Sequence, residues 1–231
     1  MNPERVIKTG VDATMYILFL LLMGQYLLPG LPHEWLGIVA GVLFILHNLL
    51  NYKWYRALFK GKYNGMRILQ TAVNFLLLIT VFTGMVSGIL ASQHLFSIGD
   101  GGTIELGRFL HLVATAWSFL LMSVHLGLHW VRFAGITKKL PVSRNGSHIL
   151  RRCFQILAVV LCIYGIYIFI ERQFWEELFH LIDYQKEYDT SKTFFVYLAE
   201  SIVMSAMLIV VTYYMKKYPL HRKMQKRKEI R

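Results

Sequence analysis

Apolar residues run through this chain in six long blocks, with short polar or charged breaks between them. The blocks cover about residues 11–29, 34–52, 67–91, 108–131, 153–171 and 194–215. Each approaches the roughly 20 helical residues needed to cross the hydrocarbon of a bilayer. Pro29, Gly30 and Pro32 break the first block from the second, and Pro32 suits the first turn of a helix. Gly99, Asp100, Gly101 and Gly102 predict a loop between blocks three and four. The pattern therefore predicts an all-α, polytopic membrane protein with six transmembrane helices. No repeat of solenoid type and no low-complexity tract interrupts it.

Two of the blocks share a second pattern. HEWLGIVAGVLFILH (33–47) and HLVATAWSFLLMSVH (111–125) each carry a histidine at both ends, fourteen residues apart. On a helix that spacing advances about 21 Å and returns to within about 40° of the starting direction. His33 and His47 then share one face, as do His111 and His125. His47 lies six residues before Lys53 and His125 seven before Arg132, so the two pairs match in depth to about one residue. Both helices run in the same direction under the predicted topology. Nine histidines in 231 positions give roughly 0.3 pairs at any chosen spacing by chance. Two depth-matched pairs point to function, as ionisable residues inside a bilayer generally do.

A frame of this kind suits two planar cofactors stacked along the membrane normal, each gripped by one imidazole from either helix. Haem iron is held through axial histidines, and helix bundles are where such sites are built. The expected metal ligands are His47 and His125 for one haem b, and His33 and His111 for the other. With both axial positions filled, the expected chemistry is one-electron transfer. Gly37 and Gly41 lie between His33 and His47, and Gly84 and Gly88 lie in block three. They would let a macrocycle, or a neighbouring helix, approach closely. Arg108 and Arg132 are candidate partners for haem propionates, with Arg56 and Arg67 as further candidates. His129 and His94 are rival ligands, and His129 could instead touch a propionate or a quinone. Asn74 and Glu200 are polar positions within blocks, suited to a helix–helix hydrogen bond or a proton or quinone path.

Charge sets the orientation. The chain is 55% hydrophobic, 16% charged and carries a formal net charge of +12. Its basic residues concentrate before block one, between two and three, between four and five, and after block six. The other side holds most of the acidic residues, among them Glu34, Asp100, Glu176, Glu177 and Asp183. The positive-inside rule then puts both termini in the cytoplasm, and contact with anionic lipid explains the net charge without nucleic acid. The basic start and first block read as an uncleaved first span. Cys153 and Cys162 sit on different helical faces and imply neither a disulfide framework nor a zinc site. The segment 171–193 is amphipathic and suits a short helix on the outer interface. The chain divides into a four-helix di-haem core (1–135), a basic loop (136–152), two further transmembrane helices (153–215) and a basic tail (216–231).

At HEWLG…LHNLLN (33–51) and LHLVATAWSFLLMSVHLGLHW (110–130), the chain resembles the flavinylation-associated cytochromes, a bacterial membrane family once catalogued as a domain of unknown function. The resemblance covers blocks two to four closely. FWEELFHLIDYQ (174–185) and the last two blocks look like the family's six-span members. It implies b-type haem, electron transfer across the bacterial cytoplasmic membrane, and extracytosolic partner proteins carrying covalent flavin. It maps the family's motif histidines onto His33, His47, His111 and His125, with His129 in the same motif. The arrangement also looks like cytochrome b of quinol–cytochrome c reductases, by analogy only. No flavin-attachment threonine motif, nucleotide-binding loop or soluble domain is evident. The resemblance therefore implies a separate donor, a quinol or a membrane dehydrogenase, and a separate flavoprotein acceptor. Two other readings are a quinol- or ferric-reducing subunit with one interfacial substrate site, and a non-haem transporter or assembly protein with structural or metal-binding histidines.

Overall fold

The computed structural model describes residues 3–24, 28, 30–137, 144–179 and 193–229, with the side chains of 131–151 and 218–229 excepted. Among them the chain forms eight helices and no strand: α1 (Pro3–Leu22), α2 (Leu31–Leu50), α3 (Tyr52–Ala57), α4 (Gly65–Ala91), α5 (Gly101–Thr137), α6 (Arg144–Glu171), α7 (Phe174–Phe179) and α8 (Phe194–Glu229). Five stretches are long and apolar enough to cross a membrane: Leu31–Leu50, Gly65–Ala91, Gly101–Trp130, Arg152–Glu171 and Phe194–Lys217. Val42, Ile45, Leu49, Ile79, Phe82, Ile163 and Tyr167 stand exposed on these helices. An apolar surface so large suits lipid rather than water.

The sixth expected span, 11–29, falls on α1 and on positions 25–27 and 29, which lie outside the described residues. α1 starts at Pro3, so its twenty residues take in Glu4, Arg5, Lys8 and Asp12. It is not among the five apolar spans. The other helices overrun their apolar blocks: α6 begins at Arg144 and α8 continues to Glu229. Apolar length reflects the thickness of hydrocarbon, whereas Lys, Arg and Gln continue a helix readily beyond it. The expected loop at 99–102 is shorter, because Gly101 and Gly102 open α5. Asp100 caps that helix, accepting from the Thr103 amide at 2.9 Å and the Thr103 hydroxyl at 2.6 Å. Of the amphipathic segment 171–193, α7 is described, and 180–192 lies outside the described residues.

α5 is the central element. It packs on α4 along one side and on α8 along the other, while α6 packs on α8 and α2 leans chiefly on α1. The apolar core lies where α1, α5, α7 and α8 meet, around Leu20, Ala116, Phe119, Phe174, Leu178, Met204 and Met207. Trp117 of α5 donates its indole N–H to the Leu178 carbonyl at 2.9 Å and so pins α7 onto this core. Glycines let the helices close. A Cβ at Gly127 would lie 2.7 Å from Ile209 O of α8, and one at Gly165 would lie 2.6 Å from Met207 Cβ.

Candidate haem-binding site

The start of α2 and the end of α4 meet through a carboxylate. Glu34 accepts hydrogen bonds from the Ser92 hydroxyl at 2.8 Å and the amides of Gln93, His94 and Leu95 at 3.2, 3.3 and 2.8 Å. His94 Nδ1 also lies 3.1 Å from Glu34 Oε1. His94 is thus tied to the clamp, with its ring against Gly30, whose φ of 70° suits a residue without a side chain. The clamp fixes the start of α2, one residue after His33.

There the structure brings His33 and His111 together, with ring centroids 6.1 Å apart and planes at 76°. His111 Nδ1 sits 2.8 Å from the backbone carbonyl of Gly84 in α4. A carbonyl can only accept, so this Nδ1 carries the proton and Nε2 keeps its lone pair. A Cβ at Gly88 would lie 3.1 Å from the His111 ring, so the missing side chain is what admits the imidazole. His33 Nδ1 is buried with no hydrogen-bond partner.

The other two predicted ligands are each tied to a different neighbouring helix. His47 Nδ1 lies 2.7 Å from Asp12 Oδ1 of α1. His125 Nδ1 lies 2.8 Å from Asn74 Oδ1 of α4. Carboxylate and amide oxygens are acceptors, so both rings are again protonated at Nδ1 and carry the lone pair on Nε2. His129 lies against His125, with centroids 4.7 Å apart.

The remaining predicted positions divide. Gly84 meets Thr115 and Ala114 of α5, and Gly41 meets the Met85 side chain of α4, so both serve helix contacts, whereas a Cβ at Gly37 would meet nothing within 4 Å. Arg108 is exposed on α5. Arg132 lies in α5, but its side chain is outside the described set. Arg67 donates to the Ala57 carbonyl at 2.7 Å and covers the Tyr63 ring at 4.1 Å, which commits it to the α3–α4 turn. Glu200 is buried, 4.0 Å from Arg172 Nη1. Arg172 and Asp12 are polar partners that sequence reasoning passed over. Asp12 falls at the right depth to meet His47, but nothing in the order of residues says which way α1 is turned.

Among the described residues, no three His, Cys, Asp or Glu side chains gather as a protein-only metal site would need. Haem asks less of the protein: two axial nitrogens, with the porphyrin supplying the rest. The donor chemistry fits that demand. A metal ion held between two imidazole nitrogens at about 2 Å each places the ring centroids roughly 6 Å apart. The His33–His111 separation of 6.1 Å agrees. No family model, curated protein or solved structure matches the chain.

Proposed function

We propose that the protein is a b-type di-haem cytochrome of the bacterial cytoplasmic membrane, with six transmembrane helices and a four-helix haem-binding bundle built from α1, α2, α4 and α5. In this reading it resembles the flavinylation-associated cytochromes. Both termini are cytoplasmic. Electrons enter from a quinol or a membrane dehydrogenase and leave to an extracytosolic flavoprotein. The observation that carries the reading is the second partner of the histidines. Three of the four have Nδ1 on an acceptor from a neighbouring helix, Asp12, Gly84 or Asn74. Metal-bound imidazoles are held in this way, because the bond fixes the tautomer, aims the ring and strengthens the ligating nitrogen.

When bound, haem supplies a reversible one-electron couple. The chain's residues do the rest. His33 and His111 hold one group and His47 and His125 the other. Gly88 leaves room for the His111 ring. The Glu34 clamp holds the start of α2 in place. Arg108 offers a propionate partner, and His129 stands beside the second tier.

The absorption spectrum of the purified protein, after haem supplementation, tests the proposal. The expected result is a reducible b-type spectrum with two haems per chain. His111→Ala and His47→Ala should each lower the content to about one. A colourless, haem-free preparation that remains folded would overturn it.

A further inference from the structure

The four histidines do not share the same kind of acceptor. His47 gives its Nδ1 proton to a carboxylate, Asp12, at 2.7 Å. His125, the ligand proposed opposite it, donates its Nδ1–H to a neutral amide oxygen. In the other tier His111 donates to a neutral peptide carbonyl, and His33 Nδ1 is buried without a partner. An anionic acceptor pulls the N–H proton toward itself and pushes electron density to the other ring nitrogen, which favours the more oxidised metal. Axial-ligand hydrogen bonding and nearby charge are the levers by which a protein sets a haem's potential.

Cations also lie toward the His47 end, Lys53 and Arg56 directly after α2 among them, but Asp12 is the charge bonded to a proposed ligand itself. Glu34 is near the His33 tier, but its oxygens are occupied by loop amides, Ser92 and His94 rather than by His33. Arg108, one turn before His111, adds positive charge to that end of α5. At the other tier Lys8 is paired with Glu4 at 3.0 Å, and Asp12 faces His47.

We infer that Asp12 makes the His47–His125 tier the lower-potential one, so that electrons run downhill from it to the His33–His111 tier. The inference rests on the two-haem reading and supplies a physical cause for the direction proposed there. In the step, one electron leaves the His47–His125 tier, which is oxidised by one unit. It reduces the His33–His111 tier by one unit, and the imidazole proton stays between His47 and Asp12. A quinol or dehydrogenase replenishes the first tier, and a flavoprotein drains the second. With the proposed topology, this is flow from the cytoplasmic side outward.

A spectroelectrochemical titration of the purified, haem-loaded protein at neutral pH provides the test. The wild type should show two waves. His111→Ala, which keeps only the His47–His125 tier, should keep the lower one. Asp12→Asn preserves the hydrogen bond but removes the charge. It should favour reduction of the lower wave by about tenfold, 59 mV for one electron, and leave the upper wave in place. Asp12→Glu should restore the wild-type position. Asn74→Asp, which adds a carboxylate to His125, should move the same wave down and serves if Asp12→Asn fails to assemble. Should His111→Ala keep the upper wave, or should both carboxylate changes leave the lower wave unmoved, Asp12 does not set the order. Protein with two haems and the opposite order overturns this inference alone, whereas protein that takes up no haem overturns the reading beneath it as well.

Discussion

His111 has little freedom. Its Nδ1 is fastened to Gly84 O and its ring rests over Gly88, one turn further along the same helix. A β-branched side chain at Gly88 would occupy the ring's place, so under the proposed two-haem reading Gly88→Val should cost one haem of two, read from haem content per chain. At His125 the question is satisfaction of a half-buried donor. Asn74→Leu removes its acceptor and should cost about 1–3 kcal/mol, measured by denaturation in detergent. Asp100 offers a pH test outside the membrane spans. The Thr103 hydroxyl and amide hold its carboxyl below the ordinary carboxylate range. A depressed folded-state value adds stability in full above about pH 4, and that contribution is lost as the pH falls through the folded-state value. Asp100→Ala should flatten this acid-side loss in a thermal-melt series. At this scale the histidines were visible in the sequence because their spacing survives any rotation of the helix. Arg172 was not, since a lone arginine after an apolar block reads as an interface anchor until Tyr197 and Glu200 are seen folded against it.

Among the elements, α5 decides how well the site is held. It carries His111 and His125, and it is braced on one side by α4 and on the other by α8. Gly127 sets the second contact. A Cβ there would lie 2.7 Å from both Ile209 O and Thr212 Cβ, one of them backbone that cannot swing aside. Gly127→Val should therefore cost about 1–3 kcal/mol in a detergent melt, and it should disturb the His125 tier more than the His33–His111 tier. The apolar blocks predicted the membrane-crossing parts of α2, α4, α5, α6 and α8. They did not predict the charged extensions of α6 and α8 or the early start of α5. Hydropathy reports where a helix is greasy, and these extensions are helical but charged.

For the whole molecule, the open count concerns α1. Asp12 is one of four charged residues on α1, and it is also the residue bonded to His47. An acid that meets a partner inside the bundle costs far less than one facing lipid. α1 is thus proposed as a sixth crossing, which puts both chain ends on one side. With five crossings they would be on opposite sides. Fusions to a fluorescent protein that folds only in the cytoplasm should give signal at the N- and the C-terminus alike. A fused periplasmic phosphatase should stay inactive at both. Signal from one end only would leave α1 lying outside the bilayer.

The order of residues was enough to determine that this chain is helical, that it carries long apolar blocks (six were expected, and five of them fall on helices long and apolar enough to cross a membrane), and that four histidines recur in two matched pairs. Those properties come from local periodicity and from apolar length, and both can be read one helix at a time. The acceptors of the imidazoles could not be read in this way. The bonds of His47, His111 and His125 reach across 35, 27 and 51 positions of sequence. Each depends on how far a neighbouring helix is turned about its own axis. That angle is set by side-chain packing between helices, so Asp12 came to face His47 only once the tertiary structure was formed.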